Sequence, residues 1–118
     1  QSASQALELM QRHGIRHLPV VDPTEHLLGV VSDRDLYASK YGGPPAPRGG
    51  AVDEVMVRSP YVVSPSTRLD EAAAVMAKRK YGCAVVVDKE RVVGILTTID
   101  ALRALVELRA KERGEQLV

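Results

Sequence analysis

Gly94-Ile95-Leu96-Thr97-Thr98-Ile99-Asp100 reads as an apolar strand that ends on a hydroxyl, with a carboxylate three residues further on where a helix begins. The chain carries the same arrangement earlier, as Gly29-Val30-Val31-Ser32-Asp33-Arg34-Asp35. Two copies in one chain predict two similar halves. Aligning Met10 with Met76 pairs Ala6 with Ala72, Val20-Val21 with Val86-Val87, and Asp22 with Asp88. After the following turn the second copy is one residue shorter, so Gly29 pairs with Gly94, Ser32 with Thr97 and Asp35 with Asp100. A period of about 66 residues, each copy reading helix-strand-strand-helix, points to two units related by a pseudo-two-fold axis. A unit of that size buries little alone, so the two are expected to share one core.

Outward from these stretches, the elements follow from pattern and punctuation. Ser2-Ala3-Ser4-Gln5 is a plausible capping box for a first helix whose apolar face is Ala6, Leu7 and Met10, with Gly14 as its stop. Leu18 to Val21 and Leu27 to Val31 form a hairpin around the turn chemistry of Asp22-Pro23-Thr24-Glu25, and a helix runs from Ser32 to about Lys40. Residues 41–50 hold four Gly and three Pro and are expected to be a mobile linker. Asp53 to Met56 reads as one helical turn and Tyr61-Val62-Val63 as a short strand. A helix from about Arg68 to Lys80 turns Leu69, Ala72, Ala73 and Met76 inward. Strands follow over Cys83–Val87 and Arg91–Leu96, joined by Asp88-Lys89-Glu90. The last helix runs from Thr98 to roughly Arg113, and its apolar Leu102, Leu105, Val106 and Leu108 suit a partner chain. The domain reading is repeat one over 1–40, linker over 41–50 and repeat two over 51–118. The first copy has no counterpart of Ala51 to Ser66, which leads one to expect residues upstream of Gln1.

Composition narrows the function. The chain has 118 residues, 45% of them hydrophobic, with no Phe or Trp and four Tyr, so its core is aliphatic. A net charge of +1 and the lack of aromatic stacking platforms argue against nucleic acid. No apolar run approaches membrane-spanning length and no signal-peptide pattern opens the chain, which predicts a cytoplasmic protein. The single Cys83 excludes an internal disulfide and reads as a buried, inert thiol. No nucleophile–base pair, Walker loop or glycine fingerprint is present, and no metal site is expected, since Gly14 separates His13 from His17.

Four stretches carry a family resemblance: Ile15-Arg16-His17-Leu18-Pro19-Val20-Val21-Asp22, Gly29 to Asp35, Ser59-Pro60-Tyr61-Val62-Val63-Ser64-Pro65 and Gly94 to Asp100. Together they resemble a pair of cystathionine-beta-synthase (CBS) domains, the Bateman module, over nearly the whole chain. The long helix after Asp100 is similar to that of stand-alone bacterial CBS proteins of the acetoin-utilisation type. The resemblance implies an α/β fold of two β-α-β-β-α repeats, the first here without its N-terminal strand, with sheets packed against helices. It also implies a non-catalytic regulatory module that binds an adenosine-containing ligand in the cleft between repeats. AMP, ADP or ATP is the expected class, with S-adenosylmethionine or NAD as further candidates and no required cofactor. Asp35 and Asp100 would accept the ribose hydroxyls, with Ser32 and Thr97 beside them. Arg16 and His17 would serve the phosphate side of the Asp100 site, and Ser59, Pro60 and Tyr61 the base. Gly82 and Cys83 stand where the second copy would need those basic residues, so the two sites should differ. CBS modules pair into homodimers.

Spacing alone leaves a second reading open. Thr97 with Asp100, and Ser32 with Asp35, equally describe capping boxes at helix starts. Two rival functions stay open as well: a ligand-free dimerisation scaffold, and the regulatory piece of a larger enzyme or transporter.

Overall fold

The computed structural model describes residues 3–40, 51–52 and 56–114. The cap expected at Ser2, the linker 41–50 and most of the turn expected at Asp53–Met56 lie outside the described residues. The chain divides into two compact units, Gln1–Pro60 with Lys89–Val92, and Tyr61–Asp88 with Val93–Val118.

In the first unit, helix α1 (Ala3–His13) buries Ala6, Leu7 and Met10 on one stripe. Its end is a Schellman motif: Ile15 N donates to Met10 O at 3.0 Å and Gly14 N to Gln11 O at 3.4 Å, with Gly14 at φ 64°. Strands β1 (His17–Val21) and β2 (Leu27–Ser32) pair antiparallel, His17 opposite Ser32 and Pro19 opposite Val30, with a bulge at Val20/Val21. The hairpin turn is held by Asp22, whose Oδ1 accepts from Thr24 N (2.9 Å), Thr24 Oγ1 (2.6 Å) and His26 N (3.0 Å). Val30 spends its own N–H and C=O on Val57, at 3.0 and 2.8 Å. Pro19 therefore faces a residue that asks nothing of its missing N–H, which is why a proline fits mid-strand. Helix α2 (Asp33–Lys40) adds the fully buried Leu36. The core is Ala6, Leu7, Met10, Val31, Leu36, Val52 and Met56, aliphatic as expected.

In the second sheet, β3 (Val62–Val63) lies parallel to β4 (Cys83–Asp88), and β5 (Arg91–Thr97), which belongs to the second unit from Val93 on, completes the order β3-β4-β5. Helix α3 (Leu69–Arg79) makes the crossover from β3 to β4, as a parallel pair requires. Its buried residues are Ala72 and Met76, whereas Leu69, expected on the inner face, is 41% exposed at the first turn. The β4–β5 turn places Lys89 (φ 51°) and Glu90 (φ 67°) both in the left-handed region, the geometry of a tight two-residue hairpin without its usual glycine. Helix α4 (Thr98–Glu112) closes the unit.

The two units end α1 and α3 alike but with different residues. Lys80 occupies the place of Gly14: it stands at φ 59°, ψ 39°, and Tyr81 N donates to Met76 O at 2.9 Å. A side chain in this conformation is strained, and a glycine is not. Lys80→Gly is expected to raise stability by about 0.5–1 kcal/mol, after allowing for the freer unfolded chain, read as a higher urea midpoint.

Candidate functional site

The two hydroxyl–carboxylate stretches stand at strand-to-helix junctions, one in each unit. Thr97 keeps extended geometry (φ −108°, ψ 167°) and caps α4. Its Oγ1 accepts from Asp100 N at 3.2 Å, while Asp100 Oδ2 accepts from Thr97 N at 2.9 Å and from Thr97 Oγ1 at 3.0 Å. This is the capping box in full. It engages one carboxylate oxygen; Asp100 Oδ1 makes no hydrogen bond among the described residues. Thr97 and Asp100 are both half-buried, so the carboxylate is fixed in direction yet open on one side.

The first unit repeats the box more loosely. Ser32 Oγ accepts from Asp35 N at 3.2 Å, and Asp35 Oδ2 accepts from Ser32 N at 3.4 Å. The next residue in each copy is tied in the same way: Asp33 N donates to Arg16 O at 2.8 Å, and Thr98 N to Gly82 O at 3.2 Å. These bonds make Arg16 and Gly82 structural equivalents, as the repeat alignment has them. Because both are backbone bonds, the side chain at this place is free to differ between copies.

It differs in chemistry. Around Ser32 and Asp35 the first unit gathers the exposed Arg16 and the half-buried His17, which faces Ser32 across the hairpin. The second unit has no side chain at Gly82 and a buried thiol at Cys83, which burial pushes above its ordinary pKa. A protonated, buried thiol is a poor nucleophile.

Burial lowers the His17 pKa from its ordinary 6.5; Asp33 and then Asp35 pull it up, and Arg16 adds to the lowering. The imidazole is therefore neutral at pH 7. In the unfolded chain it takes a proton below about 6.5, and in the folded chain only at lower pH. The stability it contributes is present above pH 6.5 and is lost as pH falls through the folded value. His17→Gln is expected to flatten the fall in Tm on acidification over this window, measured by thermal unfolding in steps from pH 7.5 to 5.

Ser59 is exposed, Pro60 half-buried, and Tyr61 O accepts from Val85 N at 2.8 Å, so this carbonyl is committed to the sheet. The Tyr61 ring stacks on Tyr81, centroids 5.6 Å apart and planes at 27°. Tyr81 also lines a groove of about 610 Å³ in the second unit, with Met76, Gly82, Thr98, Leu102 and Leu105. The sequence reading missed Tyr81 and this groove; the small residues Ala73 and Ala77 on α3, which leave room beside α4, were the available signal.

Comparison with known proteins adds to this geometry. The CBS domain family model matches residues 1–40 and 52–107. The structure of the acetoin utilization protein AcuB from Vibrio cholerae superposes with a TM-score of 0.82 at 36% identity, covering 96% of this chain and 84% of that one. The CBS domain pair of protein MJ0100, solved with 5'-methylthioadenosine and S-adenosyl-L-methionine, gives 0.81 at 28% identity over 92% of this chain and 84% of its own. CBSX2 solved with AMP gives 0.76 at 34% identity over the same shares. The sequence of chloroplastic CBSX2 from Arabidopsis thaliana is 31% identical over 92% of this chain, which spans 57% of that protein's length.

Proposed function

Since the chain belongs to the CBS domain family, we propose that it is a non-catalytic regulatory module that binds an adenosine-containing ligand of the AMP, ADP or ATP class. The observation that carries this reading is the Asp100 carboxylate, held by Thr97 through Oδ2 with Oδ1 unengaged among the described residues. A carboxylate so fixed can accept both hydroxyls of a ribose, and the N-terminal end of α4 favours an anionic ligand. The adenosine ligands in the CBSX2 and MJ0100 structures support it.

In this reading Thr97 and Asp100 hold a ribose, while Arg16 and His17, beside Ser32 and Asp35 in the first unit, keep the phosphate role that the resemblance implies, Arg16 with a guanidinium suited to two phosphate oxygens. Ser32 and Asp35 are the weaker ribose pair, their box being longer. Ser59, Pro60 and Tyr61 stand on the base side. Regulation is a population shift: ligand favours one arrangement of the module, and an attached domain or partner reads it. No helix among the described residues is long and apolar enough to cross a membrane, and we place the module in the cytoplasm.

A panel of AMP, ADP, ATP, S-adenosylmethionine and NAD tests the reading by thermal shift. A ligand at one hundred times its Kd stabilises by about 2.7 kcal/mol, which in a chain of this size raises Tm by about 10 °C. No shift with any of the five sinks the adenosine reading and leaves the scaffold.

The scaffold role has its own support and is compatible with binding. Leu102, Leu105, Val106 and Leu108 on α4 are each more than half exposed, beside the apolar groove. We assign this face to a homodimer. Leu102→Glu with Leu105→Glu is expected to yield monomer in sedimentation; an unchanged oligomer refutes the assignment.

A further inference from the structure

Among the described residues, most non-glycine positions at positive φ lie in the two hairpin turns: Glu25 (69°) in the β1–β2 turn, and Lys89 (51°) and Glu90 (67°) in the β4–β5 turn. Both turns belong to the first unit, which takes in Lys89–Val92. Counted back from the paired Gly29 and Gly94, Glu25 answers to Glu90 and His26 to Arg91. A glycine would hold this backbone without strain. Each glutamate instead brings a carboxylate to the base that follows the other glutamate. Glu25 Oε2 lies 3.5 Å from Arg91 Nη1, and Glu90 Oε2 lies 3.4 Å from His26 Nε2. The two pairs are reciprocal but not equivalent: an arginine is always charged, whereas a histidine gains its charge between pH 5 and 8.

The hydrogen bonds around His26 fix which ring nitrogen carries its proton. Asp22 Oδ1 takes the one hydroxyl proton of Thr24, at 2.6 Å. Thr24 Oγ1 can then only accept from His26 Nδ1, also at 2.6 Å, so Nδ1 bears the hydrogen. In the neutral ring this leaves Nε2 bare, its lone pair facing the Glu90 carboxylate. A second proton turns the same contact into a charged N–H donor against an anion. The other charges here leave that change of sign intact. The Thr24 hydroxyl, and then the His26 amide, hold the Asp22 carboxyl below its usual pKa, and it stands 3.8 Å from Nδ1. Across the gap, Lys89 and Arg91 flank Glu90 in the chain, and Arg91 is engaged by Glu25.

We propose that the two turns form a pH-operated clasp: its His26–Glu90 half closes when the imidazole takes a second proton, and its Glu25–Arg91 half stays closed throughout. The positive φ at Glu25 and Glu90 is the strain accepted to aim the two carboxylates. The clasp grips the turn from which β5 starts, the strand that ends on Thr97. Acidification therefore tightens the hold on this turn. That is opposite in direction to His17, whose contribution is lost as pH falls.

The test is a double-mutant cycle on the full chain, His26→Ala with Glu90→Ala, by urea unfolding in low salt at pH 5.5 and at pH 8. At pH 5.5 the pair is expected to couple by about two- to five-fold in the unfolding equilibrium constant, the range of exposed ion pairs, and at pH 8 to show no favourable coupling. The parallel cycle of Glu25→Ala with Arg91→Ala is expected to give the same coupling at both pH values. His26→Arg is expected to couple to Glu90 at both. Equal His26–Glu90 coupling at the two pH values overturns the proposal, as does none at pH 5.5. A Glu25–Arg91 coupling that rises equally on acidification also overturns it, by assigning the change to a process that both pairs share.

Discussion

Asp100→Ala is expected to abolish the rise in Tm that an adenine nucleotide gives, while lowering the ligand-free Tm by only a few degrees. The two effects separate because the carboxylate has two oxygens with different work. Oδ2 closes the capping box with Thr97, and losing a cap costs about 1 kcal/mol. The ribose contact uses hydrogen bonds to an ionised group, each worth roughly 1.5–3 kcal/mol, so losing two weakens binding about 100-fold or more. Calorimetric titration alongside the thermal shift distinguishes the outcomes. If affinity is unchanged and only ligand-free stability falls, Asp100 is a cap and nothing else. Asp100→Asn keeps an acceptor for Thr97 N and so is expected to recover most of the ligand-free Tm without recovering affinity. Asp35→Ala is expected to change binding less.

Gly29→Ala is expected to cost about 3 kcal/mol, a fall in Tm of more than 10 °C, measured by urea and thermal unfolding. The added methyl meets a backbone carbonyl, Val57 O, at 2.5 Å, which cannot rotate away as a side-chain end can. Relief requires the Met56–Val57 segment to lift off β2. That breaks the two Val30–Val57 hydrogen bonds and draws Met56 out of the core, a loss of packing as well as of bonds. A variant with wild-type stability would mean that the segment is held only loosely.

The repeat made most of the element order legible. Strand-hydroxyl-x-x-carboxylate gave both junctions, and Gly14 gave the end of α1, because these depend on local chemistry. What the sequence concealed was set by atoms that every residue shares. The bonds from Asp33 N to Arg16 O and from Thr98 N to Gly82 O involve only backbone, so their equivalence cannot be read from Arg and Gly. Lys80 sits in a glycine's conformation because the Schellman bonds and the strand after it hold it there. Leu69 looked like an inward residue by helical spacing, but it opens the helix and is 41% exposed. The box at Thr97–Asp100 shows why spacing could not choose between cap and ribose site: one carboxylate has the atoms for both.

Cys83 gives the second unit a built-in clock. It is the chain's one thiol and it lies buried in β4, so a thiol reagent in solution reaches it only when the sheet opens. The rate of labelling thus counts openings of the strand beside β5, without any mutation or attached dye. A ligand seated on Thr97 and Asp100 should slow that clock in proportion to its occupancy, and a denaturant should speed it. With no second cysteine in the chain, every labelled molecule reports the same event.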